Sequence, residues 1–162
     1  MTSAELMADN PTKAVFLDCL QLIERLHRRL LDVIKVRLDE RGRTDINPVQ
    51  ALLLFNVGDL EVTAGELKSR GYYLGSNVSY NLKKLVELGY MIHRKSEHDR
   101  RSVRISLSDK GHAICHLVSE LYDEQLELGL EQAAFDEADL GEIRRMLREV
   151  ERFWATQLRY AL

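Results

Sequence analysis

Residues 90–111 read YMIHRKSEHDRRSVRISLSDKG, and this stretch decides the fold. Tyr90 to Lys95 and Val103 to Leu107 alternate apolar and polar side chains, and the tip between them, Ser96 to Ser102, is entirely polar. Two alternating runs across a short polar tip predict a β-hairpin. Ser108 follows it as the cap of a helix. Upstream, Ser76 caps a helix that runs to Leu88 and closes at Gly89. At 3.6 residues per turn, Val78, Leu82 and Leu85 share its inner face, and Ser76, Asn77, Tyr80, Lys83, Lys84 and Glu87 share the opposite one. Before it lie the turn Tyr72 to Gly75 and a brief helix, Ala64 to Arg70, with Leu67 facing inward. A helix pair followed by a hairpin predicts a winged helix, whose second helix enters the major groove of DNA.

Further out, Asn47-Pro48 reads as an N-cap with Pro at the first helical position, for a helix that stops at Gly58. Glu61 to Thr63 is a candidate short strand. Asn10-Pro11 repeats the cap signal for a long helix that runs to Arg41, with Gly42 as its C′ residue. That helix is apolar over too wide an arc to face one core, which predicts burial on a second side by another subunit. Downstream, the helix capped by Ser108 runs to about Gly129. Asp136 opens the last one, with Leu140, Ile143, Met146, Leu147, Val150, Phe153, Trp154, Leu158 and Tyr160 at helical spacing. The expected fold is mainly α with a small β wing. Residues 1–10 form a flexible N-terminus, 47–108 a winged helix-turn-helix DNA-binding domain, and 11–46 with 109–162 a helical dimerisation region. A homodimer follows from the two apolar helices at opposite ends of the chain.

Composition bounds the rest. Of 162 residues 45% are apolar, which is enough for a core, and two Cys are too few for a disulfide scaffold. The longest uninterrupted apolar run, Ala51 to Phe55, is too short to span a membrane. The first ten residues have no basic n-region and no apolar h-region, so cytoplasmic residence is expected. The net charge of −3 suggests no polyanion partner until it is divided. Residues 1–67 hold 8 basic and 11 acidic side chains, 68–104 hold 9 and 3, and 105–162 hold 6 and 12. A segment of +6 therefore sits between two acidic arms, which is the electrostatic footprint of a nucleic-acid reader.

The candidate contacts lie inside that segment. Ser76 and Asn77 can bond base edges, Lys83 and Lys84 can reach guanine or phosphate, and Tyr80 can meet sugar or phosphate. On the wing, Arg94, Lys95, His98, Arg100 and Arg101 surround a protruding tip, where an arginine can enter a narrow minor groove. Asp99 is placed to hold Arg101 through a charge-assisted pair. A protein–protein adaptor that docks through its winged helix is the rival reading, and the basic tip favours DNA. No phosphate loop, nucleophile elbow or His-Glu-x-x-His motif marks an enzyme, and no cofactor is expected.

The segment Asp99 to Gly111, DRRSVRISLSDKG, resembles the Asp-x-Arg…Leu-Thr-x-x-Gly wing signature of the MarR family of bacterial transcriptional regulators, with Ser108 for the usual Thr. Ser76 to Tyr90, SNVSYNLKKLVELGY, resembles that family's recognition helix and its exit into the wing. Residues 71–87 are also similar to regulators of cell-envelope L,D-transpeptidase genes. The resemblance implies a homodimer with interlocked terminal helices on a pseudo-palindromic operator of double-stranded DNA. It implies that Arg101 is the minor-groove arginine and Asp99 its partner, with Asn77, Ser79, Tyr80, Lys83 and Lys84 in the major groove. A repressor or dual regulator released by a small-molecule effector is expected.

Three effector sites can be weighed. Phe16, Leu20, Thr44, Phe55 and Tyr72 are candidates to line an apolar cleft, by analogy with ligand-responsive relatives. His112 and His116 stand at i,i+4 spacing beside Cys115, but two ligands do not close a metal site, and Glu24 or Asp45 would have to complete it, so no metal is expected. Cys19 has no electropositive neighbours in sequence and is expected to be a buried structural thiol.

Overall fold

A computed structural model describes residues 10–69, 77–95 and 103–160, except the side chains of Lys68 and Tyr160. Six helices and a two-stranded sheet are described: α1 (Pro11–Glu40), α2 (Pro48–Val57), α3 (Ala64–Ser69), α4 (Asn77–Glu87), β1 (Met91–Lys95), β2 (Val103–Leu107), α5 (Asp109–Glu131) and α6 (Glu137–Tyr160). Two compact units divide the chain, Met1–Leu121 and Tyr122–Leu162.

The caps fall where their residue types demand. The Asn10 carboxamide accepts from the N–H groups of Thr12 and Lys13 at 3.0 and 3.2 Å, satisfying two donors that the first turn of α1 leaves free. Asn47 and Gln50 form a reciprocal capping box at the start of α2. Thr63 and Glu66 do the same for α3. Beyond α1 and α4, Gly42 and Gly89 take φ of +65° and +79°, a region that side chains with a Cβ avoid.

The core of the first unit gathers one face from each element. Ile34 and Leu38 of α1, Leu53, Leu54 and Val57 of α2, Leu67 of α3, and Val78, Leu82 and Leu85 of α4 are all buried. Ile105 and Leu107 of β2 and Ile114, Leu117, Val118 and Leu121 of α5 complete it. β1 and β2 pair antiparallel with Met91 opposite Leu107, and Val62 adds a bridge to Ile105, so the expected strand at Glu61–Thr63 is a single pairing.

Two expectations about the hairpin change. The run Tyr90 to Lys95 does not alternate between core and solvent. Tyr90 precedes the strand, Met91 is the one buried residue of β1, and Ile92 is 41% exposed on the other face. Val103 is also exposed, because burial along the hairpin ends at Ile105. α5 runs to Glu131, in keeping with the expected end at about Gly129. A Cβ on Gly129 would fall on the Phe135 ring, so Gly129 is a packing residue.

Cys19 departs most clearly: it is exposed. Its part of α1 has no buried residue before Ile34, and Val15, Phe16, Leu22 and Leu26 around it are exposed as well. In the second unit no described side chain of α6 is buried; Val150 is half-buried, and its other large apolar residues from Leu140 to Leu158 range from 36% to 66% exposure. Asp136 and Asp139 cap α6 reciprocally at 2.8 and 3.0 Å.

Ser108 closes the wing onto α5. Its Oγ accepts from the Gly111 N–H at 3.2 Å and donates to the Gly89 carbonyl at 2.6 Å. Ser108→Ala removes both bonds and is expected to lower stability by about 1 kcal/mol. A lower urea midpoint at unchanged slope is the expected signature, and an unchanged midpoint would show the cap to be dispensable.

Candidate nucleic-acid interface

α4 presents two faces of opposite character. Val78, Leu82 and Leu85 are almost wholly buried, and Asn77, Ser79, Tyr80 and Lys83 are exposed. Tyr80 is 66% exposed, a large aromatic held away from the core. The Lys84 ammonium is half-exposed and sits 3.9 Å from Glu87, a surface pair weak enough for a phosphate to displace.

The helix is fixed from within by a contact that pattern reading missed. Gln50, only 5% exposed, accepts the Asn47 N–H with its Oε1 and donates from its Nε2 to Asn81 at 3.3 Å. A capping residue of α2 thereby sets the rotation of α4 about its axis. Asn47-Pro48 marks the cap in the sequence. Nothing local signalled the partner 31 positions on.

On the wing, the strand register sets Arg94 directly opposite Arg104. Directly paired residues share one face of an antiparallel ladder, so two guanidinium groups stand side by side. Both are exposed, and both lie on the face that Ile92 and Ser106 share, away from Met91 and Ile105. Like charges so placed repel one another, and an arriving polyanion relieves the repulsion. Lys95, also exposed, pairs with Val103 at the outer end. Ser76, Tyr72, His98, Asp99, Arg100 and Arg101 lie outside the described residues.

The exit of α4 is tied by a polar cluster. The Tyr90 hydroxyl donates to Asp45 at 2.7 Å, and Lys110 donates to Asp45 at 3.3 Å and to the Leu88 carbonyl at 2.9 Å. The Lys110 ammonium also lies 4.1 Å from the Tyr90 ring centre, a cation–π contact. The Tyr90 hydroxyl bond holds the Asp45 carboxyl below its ordinary range, and burial beside that carboxylate pushes the Tyr90 hydroxyl up to about 12.

The effector candidates are not gathered in one place by any contact described. Phe16 and Thr44 are exposed, and Leu20 and Phe55 are half-buried. Clefts are lined by Arg25, Arg28, Arg29, Leu31 and Asp32 on α1, and by Arg148, Glu151, Arg152 and Ala155 on α6, without any of those four. Asp45 is taken up by Tyr90 and Lys110. His112 lies 3.7 Å from Asp59, and burial, with the charge of Asp59, pushes the Cys115 thiol up. Among the described residues no three His, Cys, Asp or Glu side chains cluster in a way that could hold a metal ion.

Residues 46–111 match the winged helix DNA-binding domain family. Across 147 residues the chain is 33% identical to the exopolysaccharide II synthesis transcriptional activator ExpG of Rhizobium meliloti (strain 1021), covering 91% of this chain and 75% of that protein. The fold is shared with a MarR family transcription regulator at a TM-score of 0.68 and 20% identity, over 91% of this chain and 95% of that one. The chain belongs to the MarR family. It is a DNA-binding transcriptional regulator of the MarR type. A second MarR-type fold, Streptococcus pneumoniae FabT in complex with DNA, superposes at a TM-score of 0.71 and 20% identity, over 88% of this chain and 99% of that one. α4 is the second helix of the pair that precedes the hairpin, and β1–β2 is that hairpin, in the order of a winged helix. No described helix is long and apolar enough to cross a membrane.

Proposed function

We propose that two copies of this chain bind a pseudo-palindromic operator, each inserting α4 into the major groove and its wing into the flanking minor groove. The observation that carries this reading is the polar outer face of α4 beside the Arg94–Arg104 pair, two exposed surfaces without apolar cover. Asn77, Ser79 and Tyr80 then meet base edges and sugar, Lys83, Lys84, Arg94 and Lys95 meet phosphates, and Arg101, held by Asp99, enters the minor groove. Ser76, His98 and Arg100 complete the contact set.

The lobe at 47–108 reads DNA, and the helices at 11–46 and 109–162 make the dimer. Dimers are typical of the family, and the uncovered apolar faces of α1 and α6 support one here. The protein works beside the chromosome in the cytoplasm and has no catalytic role. A small-molecule effector, also family-typical, biases the DNA-bound state, and Phe16, Leu20, Thr44, Phe55 and Tyr72 remain the proposed lining of its site. ExpG is an activator, whereas we infer a repressor or dual regulator here. One dimer can do either, because the position of its operator relative to the promoter decides whether it blocks or recruits polymerase.

The test separates wing from helix. Arg101→Ala is expected to lower operator affinity by about 1–3 kcal/mol without unfolding the dimer. Lys84→Ala is expected to weaken binding to every sequence and to reduce the salt slope by about 0.9. Mobility shifts of both variants equal to wild type would remove the contacts on which the reading stands.

A further inference from the structure

We propose that Asp45 is a positioning residue for DNA recognition: with Tyr90 and Lys110 it locks the exit of α4 to the end of the α1 arm and the first turn of α5. The proposal deepens the operator-binding reading and rests on it.

The cluster joins three segments that are far apart in sequence. Asp45 belongs to the loop between α1 and α2. Leu88 and Tyr90 follow the last turn of α4, and Lys110 lies in the first turn of α5. Each Asp45 oxygen has its own partner, Oδ1 the Tyr90 hydroxyl at 2.7 Å and Oδ2 the Lys110 ammonium at 3.3 Å. The main chain of Tyr90 is held as firmly as its side chain. Its N–H donates to the Leu85 carbonyl at 2.9 Å, closing α4, and its carbonyl accepts from the Ser108 N–H at 3.0 Å, opening α5. The Tyr90 side chain is fully buried apart from this hydroxyl contact, so a phenylalanine would fill the same space. A polar network beneath an aromatic ring that packs equally well without it adds direction, because each bond has one distance and one angle. What it directs is the junction through which α4 is joined to the arms. In a dimer, the angle of α4 to the arms sets the separation of the two recognition helices, and that separation must match half-sites about one helical turn apart. None of the three residues lies on the outer face of α4, so an effect on recognition passes through position and not through contact.

The experiment compares wild type with Asp45→Ala, Asp45→Asn and Tyr90→Phe. The probes are a duplex that wild type selects from a randomised pool, the same duplex with two base pairs inserted at its centre, and a mixed-sequence duplex of equal length. Asp45→Ala is expected to lose about tenfold in affinity for the selected duplex, the scale of one lost charged hydrogen bond, and nothing for the mixed-sequence one. Its preference for the selected over the respaced duplex narrows. Tyr90→Phe does the same with every charge retained, and Asp45→Asn, which still accepts from Tyr90, recovers part of the loss. A role in stability alone would lower binding to all three duplexes together. Hydrogen exchange adds a readout without DNA: the amides of Leu88, Gly89 and Tyr90 are expected to exchange faster in Asp45→Ala, and those of the α2 core are not. Unchanged ratios between duplexes with unchanged exchange at 88–90 would overturn the proposal. If wild type selects no duplex, the operator-binding reading fails, and the exchange result still decides whether Asp45 holds the exit of α4.

Discussion

Ile143→Asp combined with Phe153→Asp is expected to convert the protein into 18.7 kDa monomers and to abolish tight operator binding. α6 is a helix of 24 residues without one buried side chain among those described. Ile143, Met146, Leu147, Phe153, Trp154 and Leu158 are exposed, and with the half-buried Val150 they recur on it at three- and four-residue spacing. Water does not favour such a face, at about 25 cal/mol per Å² of apolar surface left uncovered. Leu126, Leu128 and Leu130 of α5 and Val15, Phe16, Leu22 and Leu26 of α1 are exposed in the same way. Faces of this extent fit an interface of the obligate class, in which a charge without a partner is strongly disfavoured. Loss of the second lobe removes the gain from two linked half-sites, so operator affinity falls by at least about a hundredfold. Light scattering gives the mass and fluorescence anisotropy the affinity. A variant that stays dimeric would place the interface elsewhere.

The second large effect is on stability. Gly111→Val is expected to lower it by about 3 kcal/mol, the upper end for overpacking a tight site. A Cβ on Gly111 would fall on the carbonyl oxygen of Tyr90, with the Leu107 Cγ and Cβ at 3.1 and 3.2 Å. That carbonyl is backbone and already accepts from the Ser108 N–H, so it cannot step aside without opening the junction of wing and α5. The melting temperature should fall by roughly 6–12 °C, taking about 2–4 °C per kcal/mol for a chain of this size. Gly65→Ala is the control: its Cβ would meet Thr63 Oγ1 at 3.8 Å, an ordinary contact, so stability should stay within about 0.5 kcal/mol of wild type. Equal melting of Gly111→Val and wild type would show that the junction is looser than its geometry implies.

Local chemistry made the fold legible. Asn10-Pro11, Asn47-Pro48, Ser108 and Asp136 start helices where cap side chains satisfy free N–H groups, and Gly42 and Gly89 follow helix ends where a positive φ is needed. The two faces of α4 followed from its 3.6-residue period. What escaped the reading depends on pairs. The Arg94–Arg104 juxtaposition needs the strand register, which the polar tip from Ser96 to Ser102 leaves open. Gln50–Asn81 and Asp45–Tyr90–Lys110 join residues dozens of positions apart, and no periodicity links them. Ile92 shows the converse failure: it belongs to an apolar-looking run, but pairing with Ser106 turns it from the core. Cys19 is exposed although no electropositive neighbour marks it as reactive, because lack of activation does not bury a thiol and this half of α1 has no buried residue in the single chain.

The most direct test is an anisotropy titration of the protein against DNA from upstream of its own coding sequence, repeated across salt concentrations. Saturable binding at two chains per site is expected. Log affinity should fall linearly with log salt, by about 0.9 for each phosphate that Lys83, Lys84, Arg94 and Lys95 neutralise. Binding that does not saturate, or an affinity indifferent to salt, would contradict operator binding.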